Sequence, residues 1–335
     1  PNELMPISVS AVDGSSTKSL LDGEKFNTPG NRILIYDFVD NGAVPYFSDL
    51  IGPDVQGSPL AKATEGVWPF VNGPHQWTPG THKFFGWLVN DANGTEEVTT
   101  ASLFGENFNY VTGTDKNVTM DAFKPETKTL SIPATTISQT SPQFDFMYSN
   151  VVSTEPQVDP VDLTFSHLFS AFRVSGINRA AEANEVKVTK ITIKGLKNRK
   201  SATLVFSDET NVSYLTEEGS NDFVFTFDTN TNNGLLGTSA KELTDTYLMW
   251  PQTVEELNNA QIIIEYQTTV DGNTKNQEPR EIFFKDVTDA DGNQIQWQAG
   301  KINIINILFD VKQITFIIET LEAWGTEKDI EVDVM

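Results

Sequence analysis

Apolar residues recur along this chain mostly at every second position, in short runs separated by Gly, Asn, Asp and Pro. Successive side chains of a strand point to opposite faces, so a period of two predicts β-structure. Phe223, Phe225 and Phe227 alternate with Val224 and Thr226, Ile262 and Ile264 lead to Tyr266, and Ile314, Phe316 and Ile318 share one phase. Two runs change phase midway: Val186 and Val188 give way to Ile191 and Ile193, and Ile302 and Ile304 to Ile305 and Ile307. One extra residue turns every later side chain to the other face, so a β-bulge is expected in each run. Asp91-Ala-Asn-Gly94, Val270-Asp-Gly-Asn273 and Asp289-Ala-Asp-Gly292 carry residues that tolerate positive φ, and they predict hairpin tips. Helix candidates are few, mainly Ser239–Asp245 and Val254–Asn259, each too short to organise a fold.

The pattern predicts an all-β chain of two antiparallel β-sandwiches with few short helices. Prolines at 156 and 160 interrupt the periodicity between Val151 and Pro160, which sets the expected border between an N-terminal unit, 1–157, and a C-terminal unit, 158–335.

Composition narrows the functions open to such a chain. Its 335 residues include 23 Lys+Arg against 46 Asp+Glu, a formal net charge of −23, and no cysteine. A thiol nucleophile, a disulfide framework and a thiolate metal site are thereby excluded. The acidic balance argues against nucleic acid and against direct binding to an anionic membrane, both of which rely on Lys and Arg. No run approaches the roughly 20 apolar residues of a membrane helix. With 22 Phe and 6 Trp, the chain has ample material for a packed core.

Few residues suggest chemistry. His167 is in phase with Leu163, Phe165, Phe169 and Ala171, which makes it a core histidine with a hydrogen-bond partner. His75 and His82 lack a fixed third ligand for zinc and are expected in loops. Asp289, Asp291 and Asn293 resemble the opening of a calcium loop, but Gln294 and Gly300 occupy the positions that need Gly and Glu. A glycosidase needs one defined carboxyl pair, and no feature singles one out. No catalytic residue, cofactor or metal site is therefore expected. Trp68 and Trp77, beside Pro69 and Pro79, are candidate glycan contacts if their indoles are exposed, which makes a surface glycan-binding protein the alternative function.

The two ends carry the remaining signal. Ile7, Val9 and Ala11 alternate on one side of an expected first strand, followed by a polar stretch that contains Lys18 and Ser19. Cleavage after Lys18 would let that strand leave and expose a sheet edge and an apolar slot, a template for another chain's strand. Near the other end, Ile330, Val332 and Val334 alternate with Glu331 and Asp333, as a strand that fills such a slot should.

Several segments in order resemble the fimbrillin-like (Mfa-like, type V pilin) pilus proteins of Bacteroides and relatives. They are Thr17-Lys-Ser-Leu-Leu21, Asp145-Phe-Met-Tyr-Ser149, Val161 through Ser170, Tyr247-Leu-Met-Trp-Pro-Gln252, Trp297-Gln-Ala-Gly-Lys301 and the strand ending at Trp324. The resemblance implies two transthyretin-like β-sandwich domains and export as a lipoprotein precursor to the outer membrane. It also implies polymerisation into a cell-surface fimbria by donor-strand exchange, in which an Arg/Lys-specific protease removes the first strand and a neighbouring pilin subunit fills the groove. Carried over by position, the cut falls at Lys18–Ser19, although the best-known site of the family is an Arg, and the departing strand is Leu4–Val12. Membrane contact would run only through a lipid-bearing Cys that this sequence does not contain. Adhesion would add host or microbial glycans or proteins as partners.

Overall fold

The computed structural model describes residues 5–13, 29–53, 55, 67–92, 97–179, 185–219, 221–288, 292–309 and 314–321. The described chain is mostly β, arranged in several sheets. In chain order its strands are β1 (Val9–Asp13), β2 (Arg32–Val39), β3 (Phe47–Ile51), β4 (His82–Ala92), β5 (Glu97–Thr99), β6 (Tyr110–Thr112), β7 (Val118–Met120), β8 (Phe123–Lys124), β9 (Thr129–Thr136), β10 (Met147–Ser149), β11 (Val152–Thr154), β12 (Val161–His167) and β13 (Ser170–Asn178). They continue with β14 (Glu185–Lys194), β15 (Arg199–Phe206), β16 (Thr210–Thr216), β17 (Phe223–Thr226), β18 (Leu235–Leu236), β19 (Lys241–Glu242), β20 (Tyr247–Met249), β21 (Gln261–Val270), β22 (Asn273–Asn276), β23 (Arg280–Phe283), β24 (Ile302–Phe309) and β25 (Ile314–Leu321).

The apolar face of each sheet has to be buried against another layer, and two separate cores result. The first gathers side chains from the sheet ordered β1-β12-β10-β4-β2-β3 and from the sheet ordered β16-β15-β9-β8. Phe85 of β4 stacks on Phe206 of β15 at 4.5 Å, and Trp87 lies 5.6 Å from the same ring. The second gathers side chains from β13 and β24 of the sheet ordered β19-β13-β24-β25 and from the sheet ordered β17-β14-β21-β22, with Phe172 of β13 edge-on to Phe223 of β17 at 5.0 Å.

The expected border near 157/158 does not coincide with the division between the cores. β12 lies between β1 and β10, and β15 returns to pair with β9, so residues 161–171 and 202–206 complete the first core. The sheet containing β13 and β24 serves both cores. Ile302 and Ile304 pack into the first, while Ile305, Ile307 and Phe309, on the opposite face, pack into the second.

That arrangement corrects one expected bulge. β24 keeps an unbroken register with β13, from Ala171 opposite Ile302 to Asn178 opposite Phe309, and pairs without interruption with β25. Its apolar phase changes because each face serves a different core. The bulge expected in β14 is present, as a register shift between Val188 and Lys190 against β21.

Other local expectations divide in the same way. Asp271 and Gly272 adopt positive φ between paired Val270 and Asn273, forming the two-residue hairpin tip. Val254–Leu257 is a helix, capped by Thr253. The expected helix over Ser239–Asp245 is instead β19, recruited by the edge of β13 through Lys241 opposite Gly176. A helix not anticipated, Thr100–Phe104, begins at the Thr99 cap. Asp289 and Asp291 lie outside the described residues.

Candidate functional site

The site follows from how the first strand is held. β1 pairs in parallel with β12, from Val9 opposite Val161 to Asp13 opposite Phe165, and Val161 N donates to Ser8 O at 2.9 Å. Ile7, Val9 and Ala11 are buried in the first core, as the alternation predicts. Full burial contributes about 1.5–3 kcal/mol for each side chain of Val or Ile size. On the other face Ser8 and Ser10 are also buried, and the Ser10 hydroxyl donates to the Asp162 carboxylate.

A segment over residues 67–78 covers the other edge of β1. Trp68 N donates to Val9 O at 3.0 Å, Ile7 N to His75 O at 2.9 Å and Trp77 N to Met5 O at 3.0 Å, with bridges at Ser10–Val67 and Pro6–Gln76. The first strand thus lies in a slot between a regular strand and an irregular clasp.

Side chains from β2, β3 and β4 fix the clasp. Asp49 of β3 accepts from Asn72 N at 3.0 Å, Asn72 Nδ2 at 2.9 Å and its neighbour Leu50 N at 2.7 Å. The Asp49 carboxylate also meets His75 Nε2 at 2.9 Å, while the His75 ring stacks on Phe47 at 3.9 Å. Farther along, Tyr46 Oη donates to Gln76 O at 3.1 Å, and His82 bonds Thr78 O through Nε2 at 2.9 Å and Asp37 through Nδ1 at 2.6 Å. Burial pushes the Asp37 carboxyl up to about 7, against the downward pull of its His82 hydrogen bond.

Two expectations about side chains change here. His75 lies in irregular backbone, as expected, while His82 opens β4; each is tied to a buried aspartate, and His82 is itself fully buried. Trp68 and Trp77 are 2% and 4% exposed, with the Trp77 ring edge-on to His82 at 4.7 Å. Sugar stacking requires an open ring face, and the clasp turns both indoles inward, so neither is available as a glycan platform. His167 is a buried histidine bonded to Asp145 at 2.9 Å, as its phase predicts.

Lys18, Ser19, Ile330, Val332 and Val334 lie outside the described residues, so of the expected assembly positions the structure places Ile7, Val9 and Ala11. Among the described residues no three His, Cys, Asp or Glu side chains converge as a metal site, and no helix is long and apolar enough to cross a membrane.

Comparison with known proteins identifies the chain. Residues 78–324 match the fimbrillin-like family, and the chain belongs to that family. The matched span begins immediately after Trp77, so β1 and most of the clasp precede it. No curated protein matches. Among solved structures, a fimbrial protein of Bacteroides vulgatus aligns with a TM-score of 0.55 at 12% identity, over 95% of this chain and 99% of its own. A candidate cell adhesion protein of Bacteroides uniformis aligns at 0.50 and 12% identity, over 96% and 99%. A fimbrial assembly protein of Parabacteroides distasonis aligns at 0.43 and 13% identity, over 96% and 97%. At such identities the likeness to the first two is one of fold.

Proposed function

We propose that this protein is a structural or adhesive subunit of a cell-surface fimbria, assembled by proteolysis and strand exchange. An Arg/Lys-specific protease cuts after Lys18, the first strand leaves the slot, and a segment of a neighbouring subunit takes its place. The observation that supports this most is the seating of β1, with Ile7, Val9 and Ala11 buried and only a clasp along one edge. An emptied slot would expose apolar surface and the unpaired edge of β12, so another strand of matching alternation is favoured there. In this reading the donor is Thr326–Met335, whose Ile330, Val332 and Val334 repeat the spacing of Ile7, Val9 and Ala11. The two cores are then two transthyretin-like sandwiches, and the subunit reaches the outer membrane as a lipoprotein precursor. The work is done by strand edges and apolar positions, with no catalytic group required.

Treatment with a lysine-specific protease tests the reading. It predicts release of residues 1–18 and SDS-resistant oligomers, which deletion of Thr326–Met335 abolishes without unfolding the monomer. A cut chain that has lost residues 1–18 yet stays monomeric at high concentration contradicts it.

A further inference from the structure

All three histidines of the chain are bonded to buried aspartates, and two of these pairs meet at the clasp. The His82–Asp37 pair has a fixed proton count. Thr78 O can only accept, so Nε2 of His82 carries a proton. Nδ1 lies 2.6 Å from Asp37 Oδ2, a contact that requires a second proton between them. Whichever atom holds that proton, the pair is neutral overall. Loss of one proton leaves a single ring N–H between two acceptors, the Asp37 carboxylate and Thr78 O, where both residues are fully buried. If Nδ1 keeps it the bond to Thr78 O is lost, and if Nε2 keeps it the carboxylate faces a ring lone pair.

The surroundings offer little relief. The rings of Tyr46, Trp77 and Phe84 pack around His82 and bring no opposing charge. The charged groups on adjoining positions are engaged elsewhere: Lys83 with exposed Asp208 at 3.2 Å, Asp40 with Thr81 N and Glu155 with Thr81 Oγ1. His75 differs, because it needs only a proton on Nε2 to donate to Asp49, and neutral imidazole supplies it. The rings of Phe47 and Phe70 are its other neighbours.

We infer that His82–Asp37 is a proton-dependent latch on the clasp, holding residues 75–78 against the first strand while it keeps its shared proton and loosening them when that proton is lost. The latch rests on the reading of β1 as an exchangeable strand and names a condition that regulates its release. Burial raises Asp37 from 3.8 to about 7, which puts the loss near neutrality. Because the folded value is raised, the stabilisation is complete below about pH 3.8 and is lost as pH rises through about 7.

Hydrogen exchange on the intact chain, corrected for intrinsic rates, tests the latch between pH 5.5 and 8.5. Protection of the Ile7 and Trp77 amides should fall about tenfold per pH unit as pH rises toward about 7 and level off above it, while that of Ile264 in the second core stays level throughout. Asp37→Asn donates to Nδ1 through its amide and has no proton to lose, so its protection should be flat across the range. His75→Gln should keep the wild-type slope. Independently of any variant, the Asp37 carboxyl carbon should titrate by NMR at the pH where the fall in protection levels off. A level wild-type profile, a slope that survives Asp37→Asn, or an NMR midpoint more than a unit away would each overturn the latch. Polymerisation plays no part in these readouts. A cleaved chain that polymerises despite a level profile removes the latch alone, and a sloping profile in a chain that never polymerises removes the strand-exchange reading alone.

Discussion

β1 and β24 are both apolar strands paired in parallel with a neighbour, yet they are held in different ways. β24 has eight aligned pairs with β13 on one side and eight with β25 on the other, and its two faces enter two cores. β1 has five pairs with β12, and on its other edge only the backbone bonds to the 67–78 clasp. If β1 is the exchangeable strand proposed above, burial alone does not distinguish it from a permanent one. The continuity of its ladders and the number of cores that depend on it do.

The largest expected effect tests the permanent side of that contrast. Ile305→Ala in β24 should lower global stability by about 4 kcal/mol through the cavity it leaves, seen as a lower urea midpoint for the whole chain. Lys200→Met should cost about 3 kcal/mol, because it strands Glu256 where the cores meet. Lys200 of β15 bonds that carboxylate at 2.6 Å, from a helix whose Leu257 packs in the second core. Burial raises Glu256, but hydrogen bonds from Lys200, Thr216 and Thr253 outweigh it, and the group is lowered on balance. Its share of stability is accordingly present at neutral pH and lost as pH falls through that lowered value.

Val9→Ala should cost about 2 kcal/mol, confined to local opening of the first strand, with exchange in β14 and β21 unchanged. If it lowers the protection of Ile264 equally, β1 belongs to the global unit and the contrast with β24 is lost. Leu215→Ser, at a 63% exposed position of edge strand β16, should change the thermal midpoint by less than about 0.5 kcal/mol equivalent and leave both strands alone.

How much of this could be read in the sequence depends on whether one residue or two distant segments carried the signal. The alternation of Ile7, Val9 and Ala11 and of Phe223 and Phe225 is visible because each apolar row serves one core. Ile302 to Ile307 misleads because a strand with a core on each face has no single phase. The clasp has no periodicity to find, since it is irregular backbone bonded to a strand 59 to 72 residues earlier. Likewise His75 and His82 meet aspartates 26 and 45 residues away, so their pairing follows from sheet register and not from spacing. Trp68 and Trp77 look exposed beside prolines, yet the same clasp buries them.

The central claim is that the first strand can leave its slot while the rest of the molecule stays folded. The most direct measurement uses chain lacking Thr326–Met335, cut after Lys18, and a fluorescent peptide of residues 5–13 followed by anisotropy in native buffer. The account predicts that the cut chain takes up the peptide, the intact chain does not, and the near-ultraviolet dichroism of the buried tryptophans persists throughout. Uptake only at urea concentrations that unfold the second core, or none at all, contradicts it.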